Sequence, residues 1–193
     1  MRYPAEHKEE TRSRILRAAA RQFRRAGSGA GIAGLMQDLA LTHGGFYRHF
    51  KSKDQLFAAA LEEAFDDVSS RLMGAAANAR GDEIGAVIET YLGETHCANP
   101  ADGCPIAALA GDVARQPRRI RMAMDRAFEK YAARFAPFCA GRTGEQQHRN
   151  AILLFAGMAG TLTLARATAD ESARNSILQS AREFYKRSFS PSS

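Results

Sequence analysis

The chain has few of the residues that mark a disulfide-bonded or metal-binding protein. It contains only three cysteines, Cys97, Cys104 and Cys139, which lie 7 and 35 residues apart. An odd number at these spacings fits neither a disulfide framework nor a zinc-binding pattern. We therefore expect free thiols in a reducing compartment and no metal site.

Long apolar stretches are also missing. The sequence has no uninterrupted apolar run of about 18 residues, the length that a membrane helix requires. Its first ten residues, MRYPAEHKEE, lack the apolar core of a signal peptide. These absences predict a cytoplasmic protein with no membrane partner.

The residue combinations that carry catalysis are not recognisable either. We find no nucleophile with its base, no metal cluster and no phosphate-binding loop. The glycine-rich stretch after Gly27 lacks the strand and the lysine that such a loop needs. The five histidines have no metal-ligand spacing; they are His7, His43, His49, His96 and His148. We predict no catalytic residue, no cofactor and no enzyme activity, and an enzyme on a helical scaffold remains the outside alternative.

What the sequence does contain is helical periodicity. Apolar residues recur at helical spacing along most of the chain, and no alternating run of strand length interrupts them. This pattern predicts an all-α fold. A small N-terminal domain still leaves enough of the 193 residues for a larger second core. We place the first domain at residues 8–68 and the second at residues 69–193.

The most informative segment is Gly31–Phe57. A short helix with apolar residues at helical spacing is followed by a tight turn and by a second helix that Thr42 can cap. We expect this second helix to run through Phe46 and Tyr47. Two helices of about two turns each, joined by a few residues, have the outline of a helix-turn-helix. Ser52 and Gln55 then form a capping box that opens the next helix.

Positive charge is concentrated around this segment. Residues 1–60 contain 11 Lys or Arg and 5 Asp or Glu, whereas the other 133 residues contain 16 of each. The whole excess of +6 therefore lies beside the motif. This asymmetry is typical of a protein whose one end meets a polyanion such as DNA. An architectural DNA-binding protein is less favoured, because its charge would spread over the chain.

The segment LTHGGFYRHFKSKDQLFAAAL resembles the signature of the TetR family of bacterial transcriptional regulators. Upstream, TRSRILRAAARQFRRAG resembles the first helix of that family, with Ile15, Ala19 and Phe23 on one face and Gly27 at its end. The resemblance covers about residues 9 to 60. The sequence departs from the family pattern at Ala40, where many relatives have a turn glycine.

The resemblance assigns roles to the residues of the motif. Thr42, His43 and Gly44 begin the helix that enters the major groove, so they are candidates for base contacts in double-stranded DNA. Tyr47, His49 and Lys53 match positions at which TetR-like regulators bind phosphate. Two alternatives stay open: Tyr47 as a packed aromatic residue, and His49 as a residue favoured by the C-terminal end of the helix dipole. Phe46, Phe50 and Leu56 are predicted to be core residues.

The last two long helices are expected to form a homodimer interface. The stretch AILLFAGMAGTLTLA is apolar nearly all round, and Gly157 and Gly160 permit close helix approach. TetR-like proteins dimerise through their last two long helices, which here lie around Ile152–Leu164 and Ile177–Tyr185. A dimer would read a near-palindromic operator. The alternative is a helix buried centrally within the monomer.

The resemblance also implies a small-molecule effector between the middle helices. GCPIAALAGDVA resembles a stretch from one branch of the family in which a cysteine begins a helix. A helix N-terminus lowers a thiol pKa, so Cys104 is also a candidate sensor of oxidants or electrophiles, unless it is a small buried residue. Most pocket candidates would be ordinary core residues; the candidates are Met73, Tyr91, His96, Cys104, Met122, Phe128, Phe155 and Met158. A repressor released by an effector is our interpretation, and a regulator switched through Cys104 is the alternative.

Overall fold

The computed structural model describes residues 5–191, which form ten α-helices and no strand. The all-α prediction is confirmed. Residues 192 and 193, which end the predicted second domain, and the first four residues of the N-terminal segment lie outside the described range. The helices are α1 (Ala5–Ala26), α2 (Ile32–Asp38), α3 (His43–Phe46), α4 (Lys53–Ala77), α5 (Glu83–Tyr91), α6 (Glu94–Ala98), α7 (Pro105–Val113), α8 (Arg118–Phe135), α9 (Gly144–Ala167) and α10 (Glu171–Phe189). Short 3₁₀ turns follow α6 at Pro100–Asp102 and α8 at Ala136–Phe138.

We call α1 to α3 and residues 53–64 of α4 the head, and the rest of the described chain the body. Ile15, Ala19 and Phe23 of α1 are buried in the head core, as their spacing predicts. Gly27 ends α1 with φ +76°, and its N–H donates to the Phe23 carbonyl at 2.8 Å. Glycine adopts this left-handed conformation without steric cost, so it stops the helix at this point.

Side-chain caps begin five of the helices, two of them at the residues predicted from the sequence, Thr42 and Ser52. Oxygen atoms of Thr42, Ser52, Asp82, Thr143 and Asp170 each accept a hydrogen bond from the backbone N–H three residues later. Each cap satisfies a donor that would otherwise lack a partner in the first turn. The reciprocal bond of the Ser52 capping box differs slightly, because the Gln55 side chain accepts from the N–H of Lys51, one residue before the cap.

Two helices are shorter than the sequence predicts. Helix α3 ends at Phe46, and the next residues continue in tight turns in which the N–H of His49 donates to the Phe46 carbonyl. Gly44 and Gly45 disfavour a longer helix. The apolar spacing of residues 83–96 predicts one continuous helix, but the structure breaks it between α5 and α6 at Gly93, where an added Cβ would lie 3.1 Å from the Glu89 carbonyl oxygen.

Helix α4 belongs to both hydrophobic cores. Leu56 and Leu61 are buried in the head core, whereas Phe65 and Leu72 are buried in the body core. The body also contributes Leu109, from α7, to the head core. The head is therefore packed against the body rather than joined to it by a loose linker.

Helix α9 is long and apolar enough to cross a membrane by length and composition, but 39% of its most apolar stretch is buried inside the protein. Leu154, Phe155, Met158 and Leu162 all lie in the body core. The core helix of a soluble protein satisfies the same criterion, so this one helix is weak support for a membrane span. We interpret α9 as a packed helix of the body.

The turn between α2 and α3 contains a strained residue. Ala40 has φ +55°, and it is the one non-glycine residue with positive φ among residues 5–191. The N–H of Ala40 donates to Gln37, and that of Leu41 to Met36, at 2.9 and 2.8 Å. This is the Schellman pattern, which favours glycine at the position that Ala40 occupies. The departure noted in the sequence therefore has a conformational cost.

Replacing Ala40 by glycine is predicted to stabilise the protein. Removing the Cβ relieves a left-handed conformation that costs an L-residue about 1–2 kcal/mol, and the extra freedom of glycine in the unfolded chain offsets part of the gain. We expect the free energy of unfolding, measured in urea, to rise by about 0.5–1 kcal/mol. Ala33→Gly, within α2, is the matched control and should lower the free energy of unfolding by a similar amount. Equal destabilisation by both changes would contradict this interpretation.

Candidate functional site

The N-terminal end of α3 is exposed. Thr42, His43 and Gly44 all lie on the surface, and the Thr42 hydroxyl oxygen accepts from the N–H of Gly45 at 3.2 Å. Tyr47 is 61% exposed although its ring contacts His43 and Phe46. Tyr47 is thus a surface residue, and the alternative of a packed core aromatic is not supported.

The two glycines of α3 have different surroundings. A Cβ added to Gly45 would lie 3.3 Å from Thr42 Oγ1, so glycine leaves room for the cap. A Cβ added to Gly44 would meet nothing within 4 Å. Internal packing therefore does not require glycine at position 44. Its missing side chain instead bares the backbone on the outer surface, where another molecule can approach closely.

His49 and Lys53 flank the start of α4. Both are partly buried, and His49 Nδ1 has no hydrogen-bond partner within the described part of the chain. Burial, followed by the charges of Lys8 and Arg12, lowers the pKa of His49, so its ring is neutral at neutral pH. Asp54, next to Lys53, forms an ion pair with Arg119 of the body. This pairing offsets the one acidic charge at the start of α4 and leaves the Lys53 surface cationic.

A cleft of about 300 Å³ opens in the body between α4, α5, α6 and the Pro100–Asp102 turn. Its volume is at the lower end of the range for small-molecule sites. His96 is the one predicted pocket residue among its lining residues. The lining consists of Val68, Arg71, Leu72, Thr90, Thr95, His96, Asn99 and Asp102.

The other predicted pocket residues lie elsewhere. Tyr91, Cys104, Phe155 and Met158 are completely buried in the body core, and Met73 and Phe128 pack partly buried against it. Met122 is 42% exposed, which corrects its prediction as a pocket residue. The buried side of α8 does not include Met122. That side is formed by Ile120, Ala123, Ala127 and Tyr131.

His96 connects several backbone segments beside the cleft. Its Nδ1 lies 2.5 Å from the Tyr91 carbonyl oxygen, and its Nε2 accepts from the N–H of Cys104 at 2.9 Å. Burial, opposed by the Tyr91 carbonyl and reinforced by Arg166, Arg71 and Arg24, lowers the pKa of His96 to about 4. A neutral ring with its proton on Nδ1 satisfies both bonds at once.

Cys104 is not an activated thiol in this structure. It occupies the N-cap position of α7 without a side-chain capping bond; its side chain is completely buried, and burial raises its pKa despite the neighbouring Tyr91 hydroxyl. The expectation of a lowered pKa is therefore wrong, because desolvation outweighs the favourable field of the helix N-terminus. The buried hydroxyls of Tyr91 and Tyr131 have no partner of good hydrogen-bond geometry within the described residues.

Two family models match the chain. Residues 15–60 match the model described as bacterial regulatory proteins, tetR family, and residues 81–179 match the one described as transcriptional regulator LmrA/YxaF-like, C-terminal domain. The second alone spans more than half of the chain. The chain belongs to the TetR family. It is accordingly a DNA-binding transcriptional regulator, and the sequence-based recognition is confirmed.

Solved TetR-like structures share the whole fold. NemR from E. coli, in its reduced form, has a TM-score of 0.74 at 21% identity, with 94% of this chain and 97% of that chain covered. A TetR regulator from Chloroflexus aurantiacus gives 0.73 at 24%, covering 96% and 98%. One from Cytophaga hutchinsonii gives 0.76 at 17%, covering 94% and 96%. No curated protein sequence matches the chain.

The sequence did not reveal how this TetR head is fastened to the body. Arg24 belongs to a row of basic residues that resembles a solvated helix face, but it is only 5% exposed. Its guanidinium donates to the carbonyl of Gly103 at 2.9 Å. The N–H of Ser28 donates to the Asp112 carboxylate at 2.8 Å. The sequence contains one weak indication that Arg24 is buried: it follows the buried Ala20 by one helical turn.

The neutral state of His96 predicts that stability falls in acid. The pKa is about 4 in the folded protein and near 6.5 in the unfolded chain. Between these values only the unfolded state binds the proton, so stability from this group is lost as the pH falls from about 6.5 towards about 4. From about pH 7 to about pH 5 the loss should be on the order of 2 kcal/mol.

His96→Gln should remove this part of the pH dependence while lowering stability at neutral pH. The measurement is the free energy of unfolding in urea at the two pH values. His148→Gln is the control, because that histidine lies on α9 away from the cleft. If His96→Gln retained the full wild-type loss in acid, the neutral assignment would be incorrect.

Proposed function

We propose that this TetR regulator is a cytoplasmic repressor that binds a near-palindromic operator as a homodimer and is released by a small-molecule effector. The DNA-binding role follows from the family, and repression and release are the proposed part. The observation that carries the proposal is the direct packing of the head on the body, in which α4 serves both cores. A ligand that favours one arrangement of the body can therefore bias the position of the heads.

The exposed end of α3 supports base contact by Thr42, His43 and Gly44. Helix-turn-helix proteins place the first residues of their second motif helix in the major groove. Tyr47, His49 and Lys53 are proposed to bind phosphate; the exposure of Tyr47 and the cationic surface at Lys53 support this assignment. Phosphate contacts orient the head, whereas base contacts select the sequence.

Lys53→Ala and His43→Ala should therefore affect DNA binding differently. Loss of a phosphate contact should weaken every DNA site alike, by about tenfold at moderate salt, and should reduce the slope of log affinity against log salt by about one. Loss of a base contact should instead change the preference between operator variants, by about 1–3 kcal/mol at one position. Fluorescence anisotropy over a range of salt concentrations measures both effects.

Arg126→Gln provides the control for these variants. Arg126 is an exposed α8 residue that lies 3.9 Å from Glu62, and its replacement by glutamine changes the charge by one, as Lys53→Ala does. The DNA affinity and salt slope of Arg126→Gln should equal those of the wild type. An unchanged affinity and slope for Lys53→Ala would remove Lys53 from the proposed contact surface.

Exposed apolar residues on α9 and α10 support the homodimer interface. Leu153, Leu164 and Phe184 are each more than half exposed. Gly160 lies between the two leucines along α9, and a Cβ added there would meet nothing within 4 Å. An apolar face of this kind with a small residue at its centre allows a second helix pair to approach closely. The α9 helix is thus covered by the monomer on one side and, in our proposal, by the partner on the other.

Gly160→Arg should convert the dimer into a folded monomer. The monomer has room for the arginine, and arginine favours a helix more than glycine does, so the chain itself should remain stable. Within a dimer the charge would be buried in the contact without a partner, which is strongly unfavourable. Sedimentation velocity gives the oligomeric state, and circular dichroism confirms folding.

Gly74→Arg is the matched control, because Gly74 is an exposed residue of α4 and an added Cβ there also meets nothing within 4 Å. This variant should remain a dimer. A dimeric Gly160→Arg protein with wild-type stability would exclude the α9 surface as the interface.

The alternative switch is oxidation or alkylation of Cys104. Its complete burial and its raised pKa oppose this chemistry, because reactive thiols are accessible and have a low pKa. The structure of NemR is that of a reduced form, but a fold likeness at 21% identity does not assign redox chemistry to this chain. We therefore favour the effector. Loss of DNA binding in mild oxidant by the wild type, but not by Cys104→Ser, would instead favour the thiol.

A further inference from the structure

The cleft in the body has an apolar floor and a polar rim. Val68 and Leu72, one turn apart on α4, supply the apolar part. Thr90, Thr95 and Asn99 supply hydroxyl and amide groups. Such a surface suits a small ligand that has an apolar portion and one polar group.

The charges around the cleft are unequal. Arg71 and Asp102 are the charged residues of its lining, but the Asp102 carboxylate already forms an ion pair with Arg21 of α1. Arg71 is about half exposed; it donates to the Asp102 carbonyl and lies 3.6 Å from the Asp67 carboxylate. An arginine has five N–H donors in a planar fork that fits a carboxylate. Arg71 can therefore bind an anion through this fork in exchange for its contact with the Asp102 carbonyl, which uses Nη2.

Two further arginines near the cleft add to the positive field. Arg24 and Arg166, together with Arg71, disfavour a proton on His96. Arg24 forms an ion pair with Asp67 at 3.5 Å and also lies in the field of the Asp102 carboxylate. The ring of His96 is neutral, and both of its nitrogens are occupied by backbone partners, so the histidine contributes no charge of its own to the cleft.

The turn that forms one side of the cleft is attached to the head. Asp102 is paired with Arg21, and the Gly103 carbonyl accepts from the buried Arg24; both arginines belong to α1. Arg71 holds the same turn from α4 through the Asp102 carbonyl. One short turn is therefore bonded both to a wall of the cleft and to the first helix of the head.

We propose that this cleft binds a small organic carboxylate through Arg71, and that binding is transmitted to the head through the bonds of Asp102 and Gly103 to α1. This inference rests on the proposed effector-controlled function and names the ligand class and the route of regulation. A carboxylate at Arg71 competes with the Asp102 carbonyl for the same guanidinium. The turn then shifts, and Arg21 and Arg24 shift with it.

The ligand class is tested with a charge series of one shape: 3-phenylpropanoate, 3-phenylpropanamide and 3-phenylpropylamine. Isothermal titration calorimetry on the wild-type dimer without DNA measures each affinity. We expect the anion to bind with a Kd of about 1 mM or lower, and about tenfold or more tightly than the amide and the amine. Equal binding of the three probes, or tightest binding of the amine, would overturn the proposed class. So would the absence of anion binding up to about 10 mM.

The role of Arg71 is tested with two variants of equal charge change. Arg71→Gln should weaken 3-phenylpropanoate binding by about tenfold or more, whereas Arg126→Gln, on α8 outside the cleft, should leave it unchanged. Arg71→Lys keeps the charge but loses the planar fork, and we expect intermediate affinity. If Arg71→Gln bound the anion as tightly as the wild type, the site would lie elsewhere.

Transmission to the head is tested with Arg21→Gln. Arg21 is more than half exposed, so this variant should fold, and the cleft lining remains intact. In the wild type, saturating anion should weaken operator binding by about fivefold or more. Arg21→Gln should bind the anion less tightly, because the Asp102 carboxylate of the lining loses its partner, and once saturated with anion it should show a smaller effect on DNA. The same effect on DNA in both proteins would reject the Asp102 route.

The two levels of the proposal fail in different ways. If the wild type does not bind operator DNA, the proposed repressor function fails, while calorimetry still decides whether the cleft binds the anion. If the wild type binds DNA and the anion but saturating anion leaves DNA affinity unchanged, the cleft is a binding site without the proposed regulatory role.

Discussion

The shared use of α4 is the constraint on which the rest of this structure depends. One continuous helix of 25 residues supplies the head core through Leu56 and Leu61 and the body core through Phe65 and Leu72. A packed helix moves nearly as a rigid body, because close-packed side chains resist local deformation. A displacement at the body end of α4 must therefore be followed at the end where Lys53 and the DNA-binding motif lie.

Helix α7 provides a second connection between the same two regions. Its first turn follows Cys104, whose N–H is bonded to His96 beside the cleft, and Asp112 near its last turn holds the N–H of Ser28 in the head. Leu109, between these ends, is buried in the head core. The head is thus held along both α4 and α7, so a ligand in the cleft can act on it as a unit without any change inside α3.

The sequence predicted what local chemistry determines. Capping residues such as Thr42 and Ser52, and the terminating Gly27, began and ended helices at the expected places, because each acts within one turn of its own position. It did not predict features that arise from packing between distant segments. The burial of Arg24, the raised pKa of Cys104 and the lining of the cleft depend on residues that are far apart in the chain.

The chemistry of the side chains explains why most of the pocket candidates are core residues. Aromatic and soft side chains such as Tyr91 and Phe155 fill the interior because burial of their apolar area stabilises the fold. The cleft is lined instead by Val68, Arg71 and Leu72 of α4 and by polar residues near helix ends and in the turn after α6. In such a regulator the coupling can be no larger than the difference in ligand affinity between the two arrangements of the head. Ligand binding replaces hydrogen bonds at the rim of the cleft, such as that of Arg71 to the Asp102 carbonyl. This exchange supplies a difference in ligand affinity between the two arrangements more directly than a rigid aromatic core does.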